Sequence, residues 1–207
     1  MTNKIITPIY YVGGTGGHFL SALLNSAEAN HKEPLNFSTY GHAHDTKFGV
    51  NQKINEKNIE QFTKFNKDKF SFISTHSPID FLLNNFDRLI VIKYDILDTL
   101  EIASSLVMKV AYTNGKPKEI VLSRRIAAKI TLMCSATIFN ELDNEKIFYI
   151  SWNDLYRKDP NELIDILHQY TNIPKENFNI NSIYEWRNLT SKSIEQCNEF
   201  ARNYPFI

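Results

Sequence analysis

The sequence predicts an α/β fold of three layers, a central parallel sheet between helices. Two observations predict it. Short runs rich in Val, Ile, Phe and Tyr alternate with longer segments of helical period, the order that gives parallel sheets. Those runs are also nearly unbroken by polar residues, as strands covered on both faces are.

The elements follow in order. "KIITPIYYV" (4–12) is predicted as the first strand, and 70–75, 88–94 and 146–151 as the others. A helix over 17–29 is predicted from Phe19, Leu20, Leu23, Leu24 and Ala27 at helical spacing. A second, over 117–142, opens on Pro117 and carries Ile120, Val121, Ile130, Met133 and Ile138. A third, over 159–171, has Asp159 as N-cap and Pro160 in its first turn. A last helix is expected from about Thr190 to Arg202. Residues 30–69, polar and weakly periodic, are read as an insertion of loop and short helix within one domain spanning 1–207.

The bulk composition narrows the function classes. The chain has 207 residues, enough for one domain, and 43% are hydrophobic, enough for a core. Its 23 basic and 23 acidic residues cancel, which argues against a nucleic-acid or anionic-membrane partner. Cys134 and Cys197 lie far apart and outside any CxxC pair, so reduced thiols in the cytoplasm are expected. The apolar run at the N-terminus is too short for a signal peptide, and no segment reaches the roughly 18 apolar residues of a spanning helix.

"IYYVGGTGGHFLSALL" (9–24) carries the chemistry, with four glycines in five positions between strand and helix. Such a turn points N–H groups inward at the positive end of a helix dipole and suits phosphate-like anions. A Walker A loop requires Lys after its last glycine, where this chain has His18. A dinucleotide fingerprint begins at Gly14 and Gly16 but meets Phe19 at its third small position.

"GGTGGHFL" (13–20) resembles instead the phosphosulfate-binding loop of sulfotransferases, of the form Pro-Lys-Ser-Gly-Thr-Thr-Trp-Leu. Three later stretches resemble the same family in the same order. "FISTHSPIDFL" (72–82) is similar to its Lys-Thr-His-x-Pro segment, with Ser74 where the family has lysine. "RLIVIKYDILDTLEIASSL" (88–106) is similar to the strand and helix that hold the 3′-phosphate. "FYISWNDLYRKDPNELIDILHQYTNIP" (148–174) follows the late strand, Tyr-Glu-Asp-Leu turn and helix. "EWRNLTSKSIEQCNEF" (185–200) resembles a C-terminal Trp-Lys-Asn stretch. Compact bacterial and viral members offer the nearest length.

The resemblance implies a P-loop-like sulfotransferase fold and transfer of a sulfuryl group from 3′-phosphoadenosine 5′-phosphosulfate to a small-molecule or glycan hydroxyl, with no metal. Gly13, Gly14, Thr15, Gly16, Gly17, His18 and Phe19 would cradle the 5′ end. Lys93 and Ser104 would take the 3′-phosphate, Ser104 standing a turn beyond the matching position near Glu101. Arg124, Arg125 and Arg187 are further candidates. His76 would be the base, a role that suits an imidazole. The family's loop lysine is replaced by Gly14, which leaves His18, Lys47 or Lys53 to supply its charge.

Other readings remain open at this point. A Mg²⁺-dependent phosphotransferase would use Asp95 or Asp154. The pair His42 and His44, with Asp45, has alternate spacing compatible with Zn²⁺, or with the acceptor pocket. A nucleotide-binding or interaction module that kept the fold and lost the chemistry would tolerate both missing lysines.

Overall fold

The computed structural model describes residues 5–38, 40–43, 47–61, 70–113, 119–136 and 144–203. Four strands form an all-parallel sheet: β1 (Thr7–Tyr10), β2 (Phe72–Thr75), β3 (Leu89–Lys93) and β4 (Ile147–Ser151), in the order β2-β1-β3-β4. Each lies within the stretch predicted for it, because apolar side chains alternate between two buried faces. Ile90 and Ile92 of β3 point to one core, Leu89 and Val91 to the other. Pro8, which has no N–H to donate, precedes the residues of β1 that pair with β3.

Helices cover both faces. On one lie α1 (Gly17–Glu28), α6 (Pro160–Thr171) and α7 (Ile180–Asn203), through Phe19, Leu23, Leu163, Leu167, Ile183 and Trp186. On the other lie α2 (Ile79–Asn85), α3 (Thr99–Thr113) and α4 (Glu119–Ala136), through Leu82, Ile102, Ala103 and Leu132. The short α5 (Trp152–Tyr156) follows β4 directly. The predicted N-cap is in place for α6, with Asp159 accepting from Asn161 N–H at 2.9 Å, and the structure adds Asn172, which ends the helix in the left-handed region. Residues 137–142, the end of the segment predicted as helix, lie outside the described residues.

One expectation needs correction. α7 begins ten residues before the predicted start near Thr190. Asn179 caps it, accepting from Asn181 N–H at 3.0 Å, and Ile183, Trp186 and Thr190 are buried along it. Within the segment read as an insertion, 30–69, described residues reach both cores. Leu35, Phe37 and Ala43 enter one core and Ile54 the other. Val50 and Gln52 close the outer edge of β2, with Ser74 N–H donating to Val50 O at 2.9 Å and Gln52 N–H to Ser74 O at 3.1 Å. Asn25 of α1 secures the start of that strand, donating to Phe72 O at 2.8 Å and accepting from Phe72 N–H at 3.0 Å. Cys134 is exposed and Cys197 buried, and neither forms a disulfide. Among the described residues, no helix is long and apolar enough to cross a membrane.

Candidate functional site

A cavity of about 240 Å³ opens at the carboxyl ends of β1 and β2. The chain leaves β1 toward β2 on one side and continues from β3 on the other, so this is where ligands of open parallel sheets collect. Gly13, Gly14, Gly16, Gly17, His18 and Phe19 line the cavity together with His76 and His42. Residues far apart in sequence thus meet at the glycine turn.

The turn itself is tightly specified. Thr15 N–H donates to Val12 O at 3.1 Å, and Thr15 Oγ1 donates to the same carbonyl at 2.7 Å, so its hydroxyl braces the turn from within. Among the described residues, the amides of Gly13, Gly14, Gly16 and Gly17 have no protein acceptor. They are the donors available to an anion at the start of α1.

Gly14 stands where the resemblance would place lysine, and the structure gives the reason. Its φ is +90°, and a Cβ there would sit 2.9 Å from Leu106 Cβ and 3.2 Å from Ile102 O. The turn is pressed against α3, leaving no room for a side chain. Gly17 is required for another reason: a Cβ would meet Tyr11 Cγ at 2.2 Å. Substitution Gly17→Ala is therefore expected to cost about 1–3 kcal/mol by overpacking. A melting temperature within a degree of the parent would reject this.

Tyr11 organises the two histidines. Its ring lies 4.1 Å from that of His76 and 5.3 Å, edge-on, from that of His18. Desolvation holds its phenol well above the usual range, so it stays protonated. His76 Nδ1 is 2.9 Å from Tyr11 O. A carbonyl only accepts, so Nδ1 carries the proton, and in the neutral ring Nε2 keeps a lone pair. The imidazole is exposed at the end of β2.

Lys109 also lines the cavity, and sequence reading missed it. It sits on α3, where a single lysine interrupts the apolar run Leu106, Val107, Met108 and Val110. That interruption was the available signal. Desolvation pushes its pKa down to about 8.

Other predicted residues are placed elsewhere and do not line the cavity. Lys93 Nζ lies 3.4 Å from the Tyr149 ring centroid. Ser104 Oγ donates to Leu100 O at 2.7 Å and accepts from Arg125 Nε at 2.9 Å. Arg187 spends its guanidinium on the carbonyls of Asp154, Leu155 and Lys158, clasping the end of α5. Lys47 packs over the Phe48 ring at 5.0 Å, and neither it nor Lys53 reaches the cavity. Asp95 caps the turn 96–98, and Asp154 closes the capping box at Ser151, the N-cap of α5; burial works to raise its carboxyl, but Ser151 and Lys158 hold it below the usual range. His44 and Asp45 lie outside the described residues, and among the described residues no cluster suits a metal ion.

Fold and cavity together define an α/β protein with a glycine-rich turn and an imidazole at the carboxyl end of a parallel sheet. No protein-family model matches the chain, and no curated protein shows significant similarity to it.

Proposed function

We propose that the chain is a sulfotransferase-like protein. It would bind the anionic end of 3′-phosphoadenosine 5′-phosphosulfate at the turn after β1 and pass the sulfuryl group to a small-molecule or glycan hydroxyl beside His76. The observation that carries this reading is one cavity holding both the amides of the glycine turn and the oriented imidazole of His76. At about 240 Å³ it falls below the ~300–1,000 Å³ of pockets that enclose whole drug-sized ligands, which suits one anionic end of a nucleotide.

In the proposed step the acceptor oxygen attacks sulfur and its proton passes to Nε2 of His76. The bond between sulfur and the 5′-phosphate oxygen breaks, and the electron pair leaves with 3′-phosphoadenosine 5′-phosphate. The amides of the turn stabilise negative charge without reorganising, the usual source of such catalysis. His18, in the first turn of α1, is the second candidate for proton exchange at this end.

A second reading is a module of the same fold that binds nucleotide without turnover. The engagement of Lys93, Ser104 and Arg187 away from the cavity favours it. Calorimetry with 3′-phosphoadenosine 5′-phosphate, then transfer of labelled sulfate to mixed hydroxyl acceptors, separates the two. Binding with transfer supports the enzyme, and binding alone supports the module. If neither occurs, both readings fall.

A further inference from the structure

Six of the eight large apolar side chains left exposed among the described residues fall in one region. Ile126, Ile130 and Met133 lie on α4, spaced for a single helix face. Ile96, Leu97 and Leu100 lie on the turn 96–98 and the start of α3. Leu97 is 92% exposed and Ile130 57%. The turn packs on α4, and Tyr94 Oη donates to Leu132 O at 2.9 Å, so the two groups are neighbours. A concentration of exposed apolar side chains on a folded domain marks a contact surface.

Charge decides what covers it. Residues 121–136 hold Arg124, Arg125 and Lys129 and no acid, so α4 by itself offers its own copy only like charge. Arg125 turns inward, to Ser104 and Asn198. Lys129 stands one helical turn from Ile126 and Met133, on one flank of the apolar stripe. On the other flank Ser135 faces the Tyr94 hydroxyl, and beyond Tyr94 the turn 96–98 is acidic. Asp95, Asp98 and Glu101 there outnumber the guanidinium of Arg157, which pairs with the last two. A two-fold axis through Ile130 exchanges the flanks and lays Lys129 of each copy on the acidic turn of the other.

We propose that this face joins two copies of the chain in an isologous dimer, with Ile126, Ile130 and Met133 at its centre and Lys129 of each copy against the acidic turn of the other. The inference goes beyond the functional reading and does not depend on it, because none of these residues lines the cavity at the glycine turn.

Sedimentation of the full chain at about 100 µM, above the ~µM dissociation constants at the weak end of standard interfaces, should show twice the mass of one chain. Ile130→Glu and Leu97→Asp should each weaken self-association about tenfold or more. Their far-UV circular dichroism should match the parent, because both side chains already face solvent. Lys129→Glu should weaken association to a similar degree, since it sets like charges together. A chain that stays monomeric at that concentration overturns the inference and leaves the face to a different partner. A dimer untouched by both apolar variants is built on another surface and overturns it as well. If those variants separate the copies but Lys129→Glu does not, the flanks are not exchanged and the two-fold arrangement falls. Should one apolar variant fail to fold, the other carries the test.

Discussion

His76→Ala is expected to lower turnover by ~10²–10⁴, the usual contribution of a positioned general base, with nucleotide affinity essentially unchanged. The side chain is exposed at the end of β2 and bonded only through Nδ1 to Tyr11 O in the described protein, so its loss should barely move the melting temperature. His76→Asn sharpens the test. An asparagine amide can still donate to the Tyr11 carbonyl, as Nδ1 does, but has nothing in place of Nε2. Loss of turnover in both variants assigns the proton to Nε2. Activity retained in His76→Asn would show that the residue only positions the end of β1, and activity retained in His76→Ala would end its role altogether.

Trp186→Ala carries the largest expected effect on stability, about 3–5 kcal/mol. The indole is 1% exposed and lies at the junction of α1, α5 and the turn. It stacks on Phe19 at 4.1 Å with the planes 6° apart, and meets Tyr156 edge-on at 6.4 Å. Removing it also takes away the surface against which Gly16 and Gly41 pack and over which the Lys109 ammonium lies. For a chain of this size the melting temperature should fall by about 6–20 °C. Trp186→Phe should recover much of that through the Phe19 stack while leaving the turn unsupported. A fall of less than about 2 °C for the alanine variant would show that the site's wall is built by something else.

The two lysine positions emptied relative to the resemblance acquire a physical account. Gly14 is excluded from bearing a side chain by α3. Ser74 is buried and donates from Oγ to Val50 O at 2.7 Å, helping to hold the segment that covers the edge of β2. Both positions serve the packing of this chain, so their loss does not by itself decide whether chemistry survives.

Local information determined a good deal. The strands were legible because each is buried on two faces and reads as an uninterrupted apolar run, and α6 because Asp159 and Pro160 mark its start. The glycine turn was legible because a strand, a reversal and a helix follow without a gap. Tertiary structure decided the rest. Asn179 is a weak cap signal in a polar stretch, so the first half of α7 emerged only through the burial of Ile183 and Trp186. Val50 and Gln52 pair with a strand more than twenty positions away, too few residues to leave a periodic trace. Lys93, Ser104 and Arg187 matched a pattern but found partners in Tyr149, Arg125 and the carbonyls in and just after α5, because a polar side chain bonds whatever the fold brings within reach. Lys109 entered the cavity for the converse reason: which face of α3 meets the turn is set by packing between distant segments, and no local pattern encodes that choice.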